Sequence, residues 1–172
     1  MNILLFVWRL VVLPVICCVA LLQIFGCELV EDQQVIRRNS LKNHLRVGEA
    51  VRLVDLAKIS GGTICVLYPY IGDVADNVAQ SSRINEYLKA TGYSDTADEG
   101  HWAFVIIERD VVTLSKFKRM DLDVINLHTI PPRHKVDLPE GLKPVYCTSV
   151  EHAAIAKVEL QNRSYIVLGE TK

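Results

Sequence analysis

Cysteine and histidine are the residues of this chain whose side chains are best suited to chemistry. The sequence contains five of each. After residue 27 only two cysteines remain, Cys65 and Cys147, and each lies within a run of β-type residues. The pair could form a disulfide, stay as two buried thiols, or supply a nucleophile activated by a histidine. Export to an oxidising compartment would favour the disulfide, which is our prediction.

The histidines do not form a recognisable metal or catalytic motif. None of the five lies two or four residues from another, the spacing typical of a site built on one strand or helix. They are His44, His101, His128, His134 and His152. The sequence also lacks the Gly-x-Ser-x-Gly pattern of many hydrolases and a glycine loop that could cradle a phosphate. We therefore expect no enzymatic activity, no metal and no cofactor, with a hydrolase acting on wall material left open as an alternative.

An acidic and aromatic segment is the strongest candidate for partner recognition. Asp95, Asp98 and Glu99 precede Gly100-His101-Trp102 and could bind a cation or a basic partner, or form a solvated loop. Large residues near the ends of predicted strands either close a core or form a binding patch. The candidate partner-binding residues are therefore Tyr70, Asp95, Asp98, Glu99 and Trp102.

The first 26 residues have the composition of an export signal. Arg9 is their only charged side chain, and an uncharged run follows it at residues 10–22. Residues 24–27, Ile-Phe-Gly-Cys, resemble the bacterial lipobox, in which the cysteine is acylated and attaches the chain to the lipid bilayer. The alternatives are ordinary cleavage and an uncleaved transmembrane anchor, because the apolar run could extend to about 20 residues. Cys27 is thus the predicted lipidation site, and by resemblance to enterobacterial sorting rules Glu28 after it favours the outer membrane.

Length and charge limit the classes of protein that this chain can represent. Its 172 residues suffice for one folded domain. The 19 Lys and Arg are balanced by 20 Asp and Glu, so we expect no nucleic-acid partner. The predicted divisions are a signal peptide or anchor at residues 1–26, a tether at 27–46 and a β-sandwich domain at 47–172.

Short β-type runs dominate the predicted domain. Alternating or continuous apolar positions predict strands at residues 50–56, 63–70, 101–108, 111–119, 123–128, 145–150, 153–160 and 165–168. The strand at 63–70 has two apolar faces and should be central, whereas that at 153–160 should have one wet face. A helical period at residues 82–90, with Gly92 as its stop, predicts a helix. The predicted fold class is mainly β, an antiparallel β-sandwich with one short helix.

Three local features refine this prediction. Gly61-Gly62 indicates a hairpin turn between the first two strands. The uneven spacing of Leu114 and Phe117 indicates a bulge in the strand at 111–119. Residues 131–144, which contain four prolines, are typical of a long surface loop.

The chain resembles small enterobacterial periplasmic lipoproteins. The features that carry the resemblance are Cys27, the stretch Thr63-Ile64-Cys65-Val66, the stretch Val145-Tyr146-Cys147 and the terminal hairpin at 153–168. Some of these lipoproteins are described as immunity proteins of type VI secretion systems. The resemblance implies a bacterial periplasmic domain, anchored to a membrane, that binds a toxin and blocks it. An envelope accessory or structural lipoprotein, with an envelope protein as partner, is the alternative.

Overall fold

Two β-sheets provide the framework of the molecule, for which a computed structural model describes residues 35–130 and 135–171. The strands in chain order are β1 (Ala50–Arg52), β2 (Thr63–Leu67), β3 (His101–Glu108), β4 (Val111–Lys118), β5 (Asp123–Val124), β6 (Lys143–Pro144), β7 (Cys147–Ser149), β8 (Ala153–Leu160) and β9 (Arg163–Glu170). The first sheet is antiparallel, in the order β4-β3-β2-β7. The second has the order β1-β8-β9-β5, with β6 also paired to β9 and with β5 parallel to β9.

Short helices accompany the sheets. They are α1 (Arg38–His44), α2 (Leu53–Leu56), α3 (Ser81–Ala90), α4 (Tyr93–Thr96) and a 3₁₀ turn at Leu127–Thr129. The fold is therefore mixed α/β and strand-rich, and the prediction of one short helix is wrong. Helices of four to seven residues are too short to display a clear 3.6-residue period, and α3 alone among these elements is long enough.

One apolar cluster joins the two sheets. Ile64, Trp102 and Phe104 of the first sheet belong to the same buried cluster as Ile155 and Ile166 of the second. Side chains on alternate positions of a strand point to one face, so this cluster uses one face of each sheet. The two sheets thus share a core between them.

The outer face of the first sheet is covered by α3 and α4. Cys65 and Val105 contact a second buried cluster that includes Ile84, Leu88 and Tyr93 of the helices. This second layer explains why β2 and β3 are apolar on both faces. The prediction that β2 is a central strand is confirmed, since it lies between β3 and β7.

The outer face of the second sheet is covered as well. Ala154, Ala156 and Val158 of β8 are fully buried beneath Leu142 and other residues of the segment that follows β5. The face predicted to be wet carries Lys157 and Glu159, which are half-buried and exposed. Ala153 and Ile155 on that same face are buried in the core between the sheets, so the prediction holds only for the end of the strand. The predicted surface loop at 131–144 contributes apolar side chains to this cover, while its residues 131–134 lie outside the described part.

Residues 35–46 belong to the folded unit, although the sequence assigned them to a tether. Ile36, Leu41 and Leu45 are buried in the core that the two sheets share. The backbone N–H of Ile36 donates a hydrogen bond to Ser115 Oγ at 3.2 Å. This bond accounts for a buried hydroxyl on an apolar strand face, because a buried backbone donor needs a partner.

Two predicted local features are wrong. Residues 61–62 do not form a hairpin, because β1 and β2 belong to different sheets. Gly62 instead has a φ of +100° and lies so close to β3 that a Cβ would be 2.1 Å from the Ile107 carbonyl oxygen. The predicted bulge is absent, because the register of the β3–β4 pairing is continuous. Leu114 and Phe117 lie on opposite faces of β4, and Ser115 is the residue that shares the inner face with Phe117.

Candidate functional site

A disulfide joins Cys65 in β2 to Cys147 in β7, as predicted. The two residues lie directly opposite each other, and the Val66 N–H donates to the Tyr146 carbonyl at 2.9 Å beside them. Cys65 and Cys147 are therefore a non-hydrogen-bonded pair, in which the side chains of neighbouring strands approach most closely. The bond indicates an oxidising, extracytoplasmic compartment, and it leaves neither sulfur available as a nucleophile.

A tight turn follows β2 and presents an exposed tyrosine. The Ile71 N–H donates to the Tyr68 carbonyl at 2.9 Å, with Pro69 and Tyr70 between them. Tyr70 has a φ of 65°. Proline at the second position and a positive φ at the third define a type II turn, which favours glycine where Tyr70 stands. The side chain of Tyr70 is 65% exposed, so no packing within the domain explains its size.

Tyr70 is held by the acidic segment that precedes β3. Its hydroxyl donates to Glu99 Oε2 at 3.0 Å, and its backbone N–H donates to the Asp98 carbonyl at 3.3 Å. The hydrogen bond to Glu99 raises the pKa of Tyr70 above its ordinary value. Two of the predicted site residues thus form a direct contact across 29 positions of sequence.

Asp98 organises the start of β3. Its carboxylate accepts hydrogen bonds from the Gly100 N–H at 2.7 Å and from His101 Nδ1 at 2.8 Å. The hydrogen bond from His101 is the main cause that lowers the pKa of Asp98. Asp95 is exposed on α4. Glu99, Asp98 and Asp95 therefore give the loop a negative rim beside Tyr70.

Three more aromatic rings lie at the same end of the first sheet. Tyr68 contacts Tyr146 edge-on at a centroid distance of 5.6 Å, and His128 stacks on Tyr146 at 5.0 Å. The Tyr146 hydroxyl donates to Asn126 Oδ1 at 3.2 Å. Burial is the main cause that raises the pKa of Tyr68 above its ordinary range. We call the set Tyr68, Tyr70, Ile71, His128 and Tyr146 the aromatic edge.

Trp102 does not belong to this surface. It is fully buried, its Nε1 donates to the Leu122 carbonyl at 2.6 Å, and its ring stacks on Phe117 at 4.5 Å. Its place among the predicted partner-binding residues is therefore corrected to the core between the sheets. The sequence did not indicate the burial of Trp102, because this residue lies near the start of β3, close to the exposed residues Asp98 and Glu99.

The sequence names His128 only among the histidines weighed for metal or catalytic chemistry, and it does not indicate that His128 stacks on Tyr146 or that Tyr146 contacts Tyr68. Tyr146 directly precedes Cys147, so the predicted disulfide already implied that it lies near the end of β2. His128 follows β5 in a 3₁₀ turn and meets Tyr146 only through the tertiary fold. Its sequence neighbourhood contains no signal for this contact.

The described residues contain neither a candidate metal site nor a candidate membrane-spanning helix. Within 35–130 and 135–171, no three His, Cys, Asp or Glu side chains are grouped closely enough to hold a metal ion. None of the helices in these ranges is long and apolar enough to cross a bilayer. The predicted lipidation site Cys27 and the signal at 1–26 lie outside them.

Comparison of the chain with protein-family models, with curated proteins and with solved structures found no match. The candidate site is therefore defined by its own geometry. That geometry places exposed tyrosines, one of them on a strained backbone, beside a negative rim, at the end of a sheet tied by a disulfide.

Proposed function

We propose that this chain is an exported, membrane-anchored binding protein that blocks a secreted toxin by stoichiometric binding at the aromatic edge. The observation that carries the proposal is Tyr70, whose ring is exposed although its backbone has a φ of 65°. A left-handed backbone at a bulky residue costs about 1–3 kcal/mol and is retained mainly where a site needs it. Glycine would satisfy the turn without this cost, so the tyrosine ring itself is the feature to explain.

The composition of the aromatic edge supports recognition of a protein. Tyr70, Ile71 and Tyr146 are exposed large apolar residues at one end of the first sheet. Tyrosine combines a rigid apolar ring with a hydroxyl, and it is enriched among the residues that contribute most to binding. The negative rim of Asp95, Asp98 and Glu99 would favour a partner with a basic contact surface.

The scaffold supports the same proposal. The two sheets that share a core would form a β-sandwich, and recognition residues commonly lie on the loops of such a rigid scaffold. The disulfide ties β7, with Tyr146 next to it, to β2, with the Tyr70 turn next to it. A partner would therefore meet a surface that needs little ordering, which lowers the entropic cost of binding.

The toxin proposal is tested by periplasmic expression of any toxin encoded beside this gene, with and without the protein. We expect the wild-type chain to prevent killing and to purify with the toxin in a one-to-one complex. Tyr70→Ala should lose this protection. The matched control is Val111→Ala, because Val111 is 62% exposed at the opposite end of the first sheet. Equal killing with and without the protein, and no complex, would leave an envelope accessory protein as the better assignment.

Location in the bacterial periplasm, with attachment to the outer membrane through an acylated Cys27, is the second part of the proposal. It is supported by the lipobox-like residues 24–27 and by the extracytoplasmic disulfide. We expect Cys27→Ser to prevent cleavage and acylation at this site. If this variant and the wild type had the same unprocessed length and both sedimented with membranes, the segment would be a transmembrane anchor instead.

A further inference from the structure

A basic cavity shares none of its lining residues with the aromatic edge. Its volume is about 440 Å³, and it opens to solvent between α1, the turn after β4, and strands β8 and β9. Charged side chains dominate its lining, together with the hydroxyl of Ser164: Lys42, Arg119, Asp121, Asp123, Lys157 and Arg163. These residues come from separate parts of the sequence, so only the tertiary fold brings them together.

The cavity has more positive than negative groups. Its two carboxylates already have partners: Asp123 accepts from Arg119 and Arg163, and Asp121 forms an ion pair of 2.6 Å with Arg38. Among the described residues, Lys42 and Lys157 form no ion pair with a carboxylate. Lys42 is exposed and Lys157 half-buried, so both ammonium groups are available to an anion that enters the cavity.

The arginines of the cavity are held in place by a buried carboxylate. Asp123 is 4% exposed, and its two oxygens lie 2.7 Å from Arg119 Nε and 3.2 Å from Arg119 Nη2. One of these oxygens also lies 3.3 Å from Arg163 Nη2. The Arg163 guanidinium also lies over the Tyr165 ring, 5.5 Å from its centroid. These two contacts leave most of the N–H donors of Arg163, a largely exposed side chain, available to another acceptor.

The turn between β8 and β9 fixes the position of Arg163. Residues Gln161 and Asn162 connect the strands, and both have a positive φ, 51° and 62°. A two-residue turn of this kind matches the twist of the strands and sets their register, so that Arg163 pairs with Leu160. Arg163 and Ser164 are therefore presented to the cavity by a defined hairpin rather than by a variable loop.

We propose that this cavity binds a phosphate group, with Lys42, Lys157 and Arg163 as its main ligands. A phosphate carries up to two negative charges and several acceptor oxygens, which suits cations converging from α1, β8 and β9. A single carboxylate would use fewer of these donors. The phosphate could belong to a free phosphate ester or to the headgroup of an anionic phospholipid. The proposal does not depend on the aromatic edge or on a toxin.

The test uses the full chain, purified in a neutral detergent and titrated calorimetrically. The probes are inorganic phosphate, dihexanoyl phosphatidylglycerol and dihexanoyl phosphatidylcholine, the two lipids below their micellar concentrations. We expect saturable binding of phosphate, of phosphatidylglycerol or of both. Phosphatidylglycerol bound more tightly than phosphate would identify a lipid headgroup as the source, and the reverse order would identify a free phosphate ester.

Variants locate the binding in the cavity. The double substitution Lys42→Ala with Lys157→Ala should weaken binding at least about tenfold, since it removes two charge-assisted contacts. Lys89→Ala removes one exposed positive charge from α3, on the other sheet, and should leave binding unchanged. Thermal unfolding without probe checks that the double variant is folded. No saturable binding, equal binding of phosphatidylcholine, or equal weakening by Lys89→Ala would overturn the proposal.

Discussion

At the scale of single residues, Tyr70 and Asp98 have local roles that only the fold reveals: Tyr70 has a positive φ, and the Asp98 carboxylate accepts hydrogen bonds from residues at the start of β3. Pro69 stands at the second position of the turn after β2, and the type II geometry of this turn requires the positive φ found at Tyr70. Asp98 uses both of its oxygens on the start of β3. The sequence shows both residues, but only the fold shows that Tyr70 is strained and that Asp98 is occupied.

The strain at Tyr70 leads to a prediction about stability. Tyr70→Gly and Tyr70→Ala both remove the ring and its hydrogen bond to Glu99, but only glycine accepts the left-handed backbone freely. We expect the glycine variant to be more stable than the alanine variant by about 1 kcal/mol in the free energy of unfolding. Urea unfolding of the two purified variants measures this difference. Equal stabilities would show that the turn is unstrained in solution.

Asp98 leads to a prediction about pH. Its pKa in the folded protein is lowered from the ordinary value of 3.8, so its contribution to stability is fully present above that value. The contribution is lost as the pH falls through the lowered pKa. Asp98→Asn retains an acceptor for the Gly100 N–H and removes the charge that His101 faces.

The measurement is the free energy of unfolding of the wild type and of Asp98→Asn as a function of pH. The wild type should be the more stable at about pH 5, and the difference should diminish towards about pH 2.5. A difference independent of pH would mean that the carboxylate charge does not contribute. A difference that grows on acidification would contradict the lowered pKa.

At the scale of elements, the long strands were the most predictable and the short segments the least. The bounds of β3 and β8 match the predicted strands, and α3 begins one residue before its predicted start. These elements have eight or more residues of consistent period, with Gly92 as a left-handed stop after α3. In contrast, the predicted strand at 50–56 is three residues of β1 followed by the short helix α2.

The sequence predicts that the segment of α1 is a tether passing into a first strand or short helix, because its apolar residues are few. Leu41 is its one buried residue, although Ile36 and Leu45 on either side are also buried. Four basic residues between 37 and 46 give the segment a polar composition that is typical of a tether. Burial of these three apolar side chains depends on the sheets, which no local pattern describes.

The position of α1 in the core is tested by two neighbouring substitutions. Leu41→Ala should lower the free energy of unfolding by about 2–5 kcal/mol, because it removes a fully buried side chain. Asn43→Ala, at an exposed position of the same helix, should change it by less than about 0.5 kcal/mol. Chemical denaturation of both variants decides the point. A Leu41→Ala variant as stable as the Asn43→Ala variant would place the segment outside the core.

At the scale of the whole molecule, the disulfide is the feature that sequence and structure agree on most directly. It closes a loop spanning 82 positions, from the central strand β2 to the edge strand β7. The candidate site was predictable only in part. Glu99 and Tyr70 were named and lie in contact, whereas Trp102 was named and is buried, and Tyr146 joins the surface through pairing distant in sequence.

Reduction of the disulfide should destabilise the whole fold. Restricting the unfolded chain by a loop of this length contributes about 4–5 kcal/mol in the loop-entropy account. We expect dithiothreitol to lower the unfolding midpoint of the wild type and to leave that of a Cys65→Ala, Cys147→Ala double variant unchanged. Two alkylatable thiols in oxidised, periplasmically produced protein would contradict the bridge.

The central claim is that the aromatic edge is the surface that a protein partner occupies, and crosslinking in the cell tests it most directly. Tyr70→p-benzoylphenylalanine and, as the matched exposed control, Val111→p-benzoylphenylalanine are expressed in the native host and irradiated. The account predicts a discrete adduct of the chain with one protein from position 70 and none from position 111. The absence of an adduct from position 70, or the same adducts from both positions, would contradict it.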